Sequence, residues 1–412
     1  MPRGMVNQPP KEPRKSSDFS EDRFRGPHGW ANWHAHRDGL PPRAKAQVAA
    51  TTQVLPTWTE HALYSDSYIA GEIELGPYRL LITIPDIYEE VGRPAMQLVL
   101  RWYDHLPDPN YSAAEWKTDV SDYHGGDIGD EFASLLALSL GCRMRSGGVT
   151  RRFYVGNDPA GSPSETDHTP PVLIPPQGRA VLPRIAESRS LADCEQLLRS
   201  YPDLSAPQAV ALIRAARQYA DALWIADADP RLAWIKLVGA LETAANHWDG
   251  GKDETPIERL RRHRPTVYDA LDRCSDDAKK AIADELAHTF NVIRKFKSFV
   301  LEFETGPPQK RPATGAFDWT DLERALGVIY NWRSRDLHDG IPFPPPLCRP
   351  PQTDGEGQLM EKFPALAVAG GGGVWQAKEL PMYLHLFAFI AGEALREWWR
   401  SMDRENSARA VG

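Results

Sequence analysis

Cysteine is scarce and scattered in this chain. Cys142, Cys194, Cys274 and Cys348 form no CxxC pair and have no histidine at metal-site spacing. That pattern excludes a disulfide scaffold and a zinc module, and it suits reduced thiols in the cytoplasm. Long apolar runs are missing too. The most apolar stretch, Tyr383 to Ala394, is interrupted by His385 and Glu393, and it falls short of the roughly 20 residues that a membrane span needs. Positive charge is not in excess: 48 Lys and Arg against 56 Asp and Glu give −8 at neutral pH. A nucleic-acid or membrane partner would therefore have to find a local basic patch. No G-x-S-x-G elbow is present, which removes serine-hydrolase chemistry. The Gly370 to Gly373 run lacks the G-K-[ST] ending of a phosphate loop and reads as a flexible connection. The first residues carry no apolar stretch of the signal-peptide kind, so a cytoplasmic location without membrane attachment is expected.

What the chain does contain suits a globular protein of more than one core. Its 412 residues predict two or three domains, and 42% hydrophobic residues with 13 Trp supply large interiors. Residues 1–50 are dense in Pro, Gly, Arg and Asp without periodicity, which predicts a disordered tail where Trp30 to Trp33 dock at most locally. Residues 51–160 carry YIAGEIEL, YRLLITIP and AMQLVLRWY, short β-branched and aromatic runs that suit strands. A helix through EFASLLALSL can be capped by Asp127 or Asp130, and CRMRSGG followed by VTRRFYVG reads as a hairpin returning to the sheet. Residues 161–189, rich in proline (Pro163, Pro170, Pro171, Pro175, Pro176, Pro183), read as a linker or an arm laid over the surface.

From 190 to 405 helix signals take over. Ser205 can cap a helix to Ala226, and Asp229 before Pro230 starts another to about Trp248. Ser275, Asp276 and Asp277 open what reads as the longest helix, to about Phe303. The T-x-x-E pattern of Thr320 and Glu323 opens a helix to about His338, and a last helix spans about Leu380 to Met402. The fold class is α+β: a small N-terminal α+β domain followed by an all-α bundle.

The penultimate helix holds an anomaly. Its apolar stripe is Leu322, Leu326 and Ile329, and the next member is Arg333, so a guanidinium points where a core residue is expected. Five residues on, His338 sits at the carbonyl end of the helix, which favours positive charge. On an ideal helix the two Cα atoms are about 7.5 Å apart along the axis and about 140° apart around it. They converge only if the helix frays at His338 or a second chain contributes. With 12 His in the chain, the spacing R-x-x-x-x-H is expected about once by chance, and Arg23 with His28 repeats it in the expected tail. What separates Arg333 and His338 is their context, the end of an amphipathic helix followed by Gly340 and a proline brake.

In that context, IYNWRSRDLHDG resembles the Arg and His motif of the HEPN superfamily, especially its ApeA-like branch, where a helical bundle carries R-x4-6-H near a helix end. DPRLAWIKLVGALETAANHW is similar to the helix of that branch with an acidic residue in an L-x-x-A-L-E context. The resemblance covers about 190 to 402. There are two departures: Ser334 follows the motif arginine, and Asp339 separates His338 from Gly340. The resemblance implies metal-independent RNA cleavage without a cofactor, with His338 as general base and Arg333 stabilising the phosphate. It also implies a homodimer and a setting in phage defence or abortive infection, as a toxin-like effector. The N-terminal domain would meet a phage-derived trigger or a regulatory partner. Tyr330, Ser334 and Asp336, in the same segment, are supporting candidates.

Glu242 lies on the stripe Leu232, Ile235, Gly239, Glu242 and can pair with Arg333, as a buried salt bridge or as part of the chemistry. Arg259, Arg261, Arg262 and Arg264, with Lys295 and Lys297, offer an RNA-phosphate track, or equally a solvated basic face. His34, His36 and Asp38 form a weak metal-site pattern, and no metal is expected. His124 with Asp127, Asp130 and Glu131 sits at a helix start, where capping accounts for the acids. A competing expectation is a catalytically inactive HEPN-like module used for dimerisation or interaction.

Overall fold

The computed structural model describes residues 25–42, 57–83, 94–106, 118–154, 162–163, 170–174, 177–183, 188–248, 255–263, 265–271, 274–290 and 292–411. Its first element is a helix, α1 (His28–Arg37). This corrects the expected disordered tail over residues 25–42; residues 1–24 and 43–50 lie outside the described residues. Composition misleads here because Trp30, Ala31, Trp33 and Ala35 all pack inward and are buried. The helix is also pinned by buried polar bonds. Asn32 donates to Tyr78 Oη at 2.9 Å and to the Tyr103 carbonyl at 2.8 Å, and Trp30 Nε1 donates to the Leu204 carbonyl at 3.0 Å.

The strands β1 (Thr57–Ser65), β2 (Tyr68–Ala70), β3 (Ile73–Leu75), β4 (Tyr78–Ile82) and β5 (Ala95–Tyr103) come next. They are followed by α2 (Ile128–Leu140), β6 (Arg145–Tyr154), β7 (Ser162–Pro163) and β8 (Ser188–Ser190). A six-stranded sheet has the order β3-β4-β5-β1-β6-β7 and is antiparallel at every pairing. β2 and β8 form a separate parallel pair. Alternation along the strands buries Ile73, Leu75, Tyr78, Leu80, Leu98, Leu100 and Trp102 together with α2, whose Phe132, Leu135 and Leu136 are fully enclosed. α2 starts in a capping box between Asp127 and Asp130 and ends at Gly141, in the left-handed region with φ 63°.

The described parts of the proline-rich stretch lie against the protein. Leu173 clusters with Ala62, Tyr64 and Trp224, and Asp227 accepts from the amides of Val181 and Leu182.

The helical part comprises α3 (Glu195–Ser200), α4 (Ala206–Ile225), α5 (Pro230–His247), α6 (Pro256–His263), α7 (Pro265–Ala270), α8 (Asp276–Phe290), α9 (Val292–Phe303) and α10 (Leu322–His338). A hairpin of β9 (Ala367–Gly370) and β10 (Gly373–Gln376) precedes α11 (Leu384–Val411). The caps of α4 and α5 are those expected: Ser205 shares a capping box with Gln208, and Asp229 accepts from Leu232 N ahead of Pro230.

Two expectations change, while the expected helix from Ser275 to Phe303 is helical on both sides of residue 291, over Asp276–Phe290 and Val292–Phe303, with residue 291 outside the described residues. The Thr320–Glu323 capping box does not form. Asp318 captures the amide and hydroxyl of Thr320 instead, and one 3-10 turn, Trp319–Asp321, precedes α10. The Gly370–Gly373 run is the turn of a hairpin, with Gly371 and Gly372 at φ 56° and 82°. A two-residue turn with positive φ at both positions is the one that matches strand twist.

α5 packs between α4 on one side and α9, α10 and α11 on the other. Trp234 is stacked between Phe343 and Phe387, with ring centroids 5.6 and 5.0 Å away. Because α2 also packs on α4, the buried cluster runs from Trp30 to Met402 through both halves. Among the described residues no helix is long and apolar enough to cross a membrane.

Candidate active site at the contact of α5 and α10

α5 turns Glu242 inward, where its side chain is 10% exposed, and α10 delivers two partners to it. Arg333 Nη2 lies 2.6 Å from Glu242 Oε2, and the Tyr330 hydroxyl donates to Oε1 at 3.0 Å. Residues 330 and 333 are one turn apart, so they share a face of α10 and both reach one carboxylate. The Arg333 guanidinium also lies 5.7 Å from the centre of the Tyr330 ring. Phe296 of α9 closes the other side of that ring at 5.4 Å.

Burial and the negative charge of Glu242 push the Tyr330 phenol up to about 12. It therefore stays protonated and donates throughout the neutral range. Arg333 is spent only in part: its Nε is buried without a hydrogen-bond partner, and its side chain is 21% exposed. The predicted inward arginine and the predicted inward glutamate thus meet.

His338 is placed differently. α10 stays helical to that residue, the Asp339 amide bonds the Arg335 carbonyl at 3.0 Å, and Gly340 at φ 67° turns the chain away. His338 is exposed. The helix does not fray, so within one chain Arg333 and His338 keep the angular separation of about 140° that helical geometry sets. Ser334 is half-buried.

Asp336 belongs to neither group. It is buried and accepts two bonds from Arg231, both at 2.6 Å, and one from Phe343 N at 3.3 Å. It ties the end of α10 to the start of α5, a bracing role that the sequence does not signal because Arg231 sits in an ordinary first helical turn.

Of the expected phosphate track, the side chains of Arg261, Lys295 and Lys297 are among the described residues. Lys297 is paired with Glu323 at 2.6 Å. Lys295 also has an interaction partner. Arg261 is exposed, with its guanidinium 5.8 Å from the Tyr268 ring centre. Arg264 and the side chains of Arg259 and Arg262 lie outside the described residues.

His34 lies tilted against Trp30 with ring centroids 4.0 Å apart, His36 meets His105 edge-on at 4.8 Å, and no group of three or more possible ligands occurs among the described residues. His124 turns Nε2 to the buried Glu131 at 3.0 Å, while Asp127 and Asp130 cap α2.

No family model, curated protein or solved structure matches this chain. The site itself presents a cation held against a buried carboxylate and a phenol, with an exposed imidazole at the end of the same helix.

Proposed function

We propose that this chain is a metal-independent endoribonuclease of HEPN type, working as a homodimer, in which His338 is the general base and Arg333 meets the phosphate. His338 takes the proton of a ribose 2′-hydroxyl. The oxygen attacks the adjacent phosphorus, the 5′-oxygen leaves, and a 2′,3′-cyclic phosphate remains. Arg333 offsets the charge that grows on the phosphate oxygens. Glu242 and Tyr330 hold the guanidinium in place, and Asp336 braces the helix end. DNA lacks the attacking hydroxyl and is spared.

The observation that carries this reading is the inward Arg333, held by Glu242 and Tyr330, one and a half turns before an exposed imidazole. The angular separation calls for a second protomer to complete each pocket. Leu337 and Ile341, 49% and 40% exposed beside His338, supply apolar contact area for that approach. On the HEPN resemblance the setting is phage defence or abortive infection, with the N-terminal sheet receiving the trigger or regulatory partner.

A second reading, an inactive dimerisation or interaction module, is favoured by one fact: Arg333 Nη2 is already paired with the Glu242 carboxylate in the single chain. Incubating the purified protein with total RNA in EDTA, beside His338→Ala, separates the two. Cleavage by the wild type alone, with cyclic phosphate ends, is expected. Equal cleavage by both proteins removes the proposed base, and intact RNA with a well-formed dimer supports the module.

A further inference from the structure

A second polar site lies on another face of α5, where the 120–126 loop lies against α4. It is an open cleft of about 420 Å³ lined by Tyr123, His124, Arg214, Arg217, Gln218 and Asp221, with Lys236 and Thr243 of α5. Three of these are cations and one is a carboxylate. Arg214 donates to the carbonyls of Val120, Ser121 and Tyr123, and Arg217 to the carbonyl of His124 at 2.8 Å. Carbonyl partners fix these guanidinium groups in place without cancelling their charge.

The single lining carboxylate, Asp221, is shared between Lys236 at 2.8 Å and Arg145 at 2.5 Å, so it does not neutralise even its own neighbours. Asp130, another acid near Arg217, is engaged as half of the α2 capping box. Two glycines, Gly125 and Gly126, line the loop where it meets Arg217. A Cβ on Gly125, at φ 84°, would sit 2.7 Å from Arg217 Nη1, and one on Gly126 would sit 3.1 Å from it.

At the mouth stands Tyr123, 68% exposed, an aromatic face with no core to cover. Gln218 and Thr243, bonded to each other at 2.8 Å, add neutral hydrogen-bonding groups to the wall.

We propose that this cleft binds the phosphate of a nucleotide, with the base stacked on Tyr123. Fixed guanidinium groups suit phosphate oxygens because their planar forks match them. The volume lies in the range of small-ligand clefts, about 300 to 1,000 Å³, and exposed aromatics are the usual platform for bases. The phosphate can belong to a free nucleotide or to an RNA strand. The site shares no residue with the Arg333 and His338 pair, and binding is read without cleavage, so it stands or falls apart from the nuclease reading.

The test is calorimetric titration of the full chain with ADP, with adenosine and with a five-residue RNA, on wild type, Tyr123→Ala, Lys236→Gln and Thr243→Glu. Melting curves verify folding of each. Arg214 and Arg217 are left intact because they hold the loop. ADP is expected to bind and adenosine not. Thr243→Glu, which sets a like charge in the wall, should weaken ADP about tenfold or more. Tyr123→Ala should weaken it about five- to hundredfold. If the RNA binds and ADP does not, with the same sensitivity to the variants, the phosphate is that of a strand and the site holds. Binding of neither ligand overturns the proposal, as does binding that ignores both Thr243→Glu and Tyr123→Ala.

Discussion

Glu131 and Glu242 are both carboxylates that a helix turns into the interior, and the protein uses them in opposite ways. Glu131, fully enclosed on α2, accepts from the Gly29 amide of α1 at 2.7 Å and faces His124 at 3.0 Å. Its partners come from separate stretches of chain and are largely buried, the His124 side chain being 7% exposed, so the group holds α1 and the 120–126 loop to the sheet layer. Glu242 gathers two partners from one face of α10, and one of them, Arg333, still reaches solvent. A buried charge whose partners are all enclosed acts on stability. One whose partner reaches the surface can also act on something outside.

The sharpest way to break the comparison is on the enclosed side. Glu131→Ala leaves the buried Gly29 amide without its acceptor and removes the carboxylate facing His124, and stranding a buried donor costs about 1 to 3 kcal/mol. Urea unfolding should show that loss, with RNA cleavage per folded molecule unchanged. His338→Ala is expected to do the reverse, lowering cleavage by about 10²- to 10⁴-fold while the urea midpoint stays put, because the residue is exposed. A midpoint shift for His338→Ala as large as that for Glu131→Ala would erase the distinction.

Glu242→Ala tests the boundary between the two behaviours. It strands Tyr330 and the partly buried Arg333, at about 1 to 3 kcal/mol, and on the proposed reading it also abolishes cleavage. A purely structural Glu242 would cost the same stability and leave cleavage per folded molecule intact. Tyr330→Phe is milder. It removes one hydrogen bond to Glu242 and keeps the ion pair, so about 0.5 to 1.5 kcal/mol is expected by denaturant titration, with cleavage reduced and not lost.

How much of this was legible in the sequence follows from the distance over which each feature is decided. The caps at Ser205, Asp229 and Asp127 are local, and they stand where the sequence puts them. Glu242 and Arg333 were legible as two charges on apolar stripes, and two inward charges of opposite sign have few places to go but to each other. α1 was not, because Pro, Gly and Arg dominate its neighbourhood, while the groups that order it, Tyr78, Tyr103, Glu131 and Leu204, lie far along the chain. The Thr320 cap misled because Asp318, two residues earlier, competes for the same amide and carries a full charge. The cleft on α4 and α5 was invisible for another reason: Arg214, Arg217 and Lys236 look like ordinary solvated helix positions until the 120–126 loop is laid across them.

The smallest effect concerns a buried group that has neither kind of partner. His385, at the start of α11, has Nδ1 buried without a hydrogen-bond partner, and burial pushes its pKa from 6.5 down to about 4 against a weaker opposing pull from Glu361. Where Glu131 and Glu242 each keep a polar partner, this imidazole meets burial by staying neutral. Between pH 6.5 and about 4 the unfolded chain binds a proton that the folded chain refuses, so stability falls as the pH falls through that window. From about pH 7.5 to about pH 6 only the upper edge of the window is entered, and the expected loss is about 0.8 kcal/mol. His385→Gln cannot titrate, so the difference in unfolding free energy between wild type and this variant isolates the group from the other histidines. That difference should move against the wild type as acid is added. A difference that stays flat would mean that burial does not lower the pKa of this imidazole, and one that moves in the wild type's favour would mean that it is charged and paired in the folded protein.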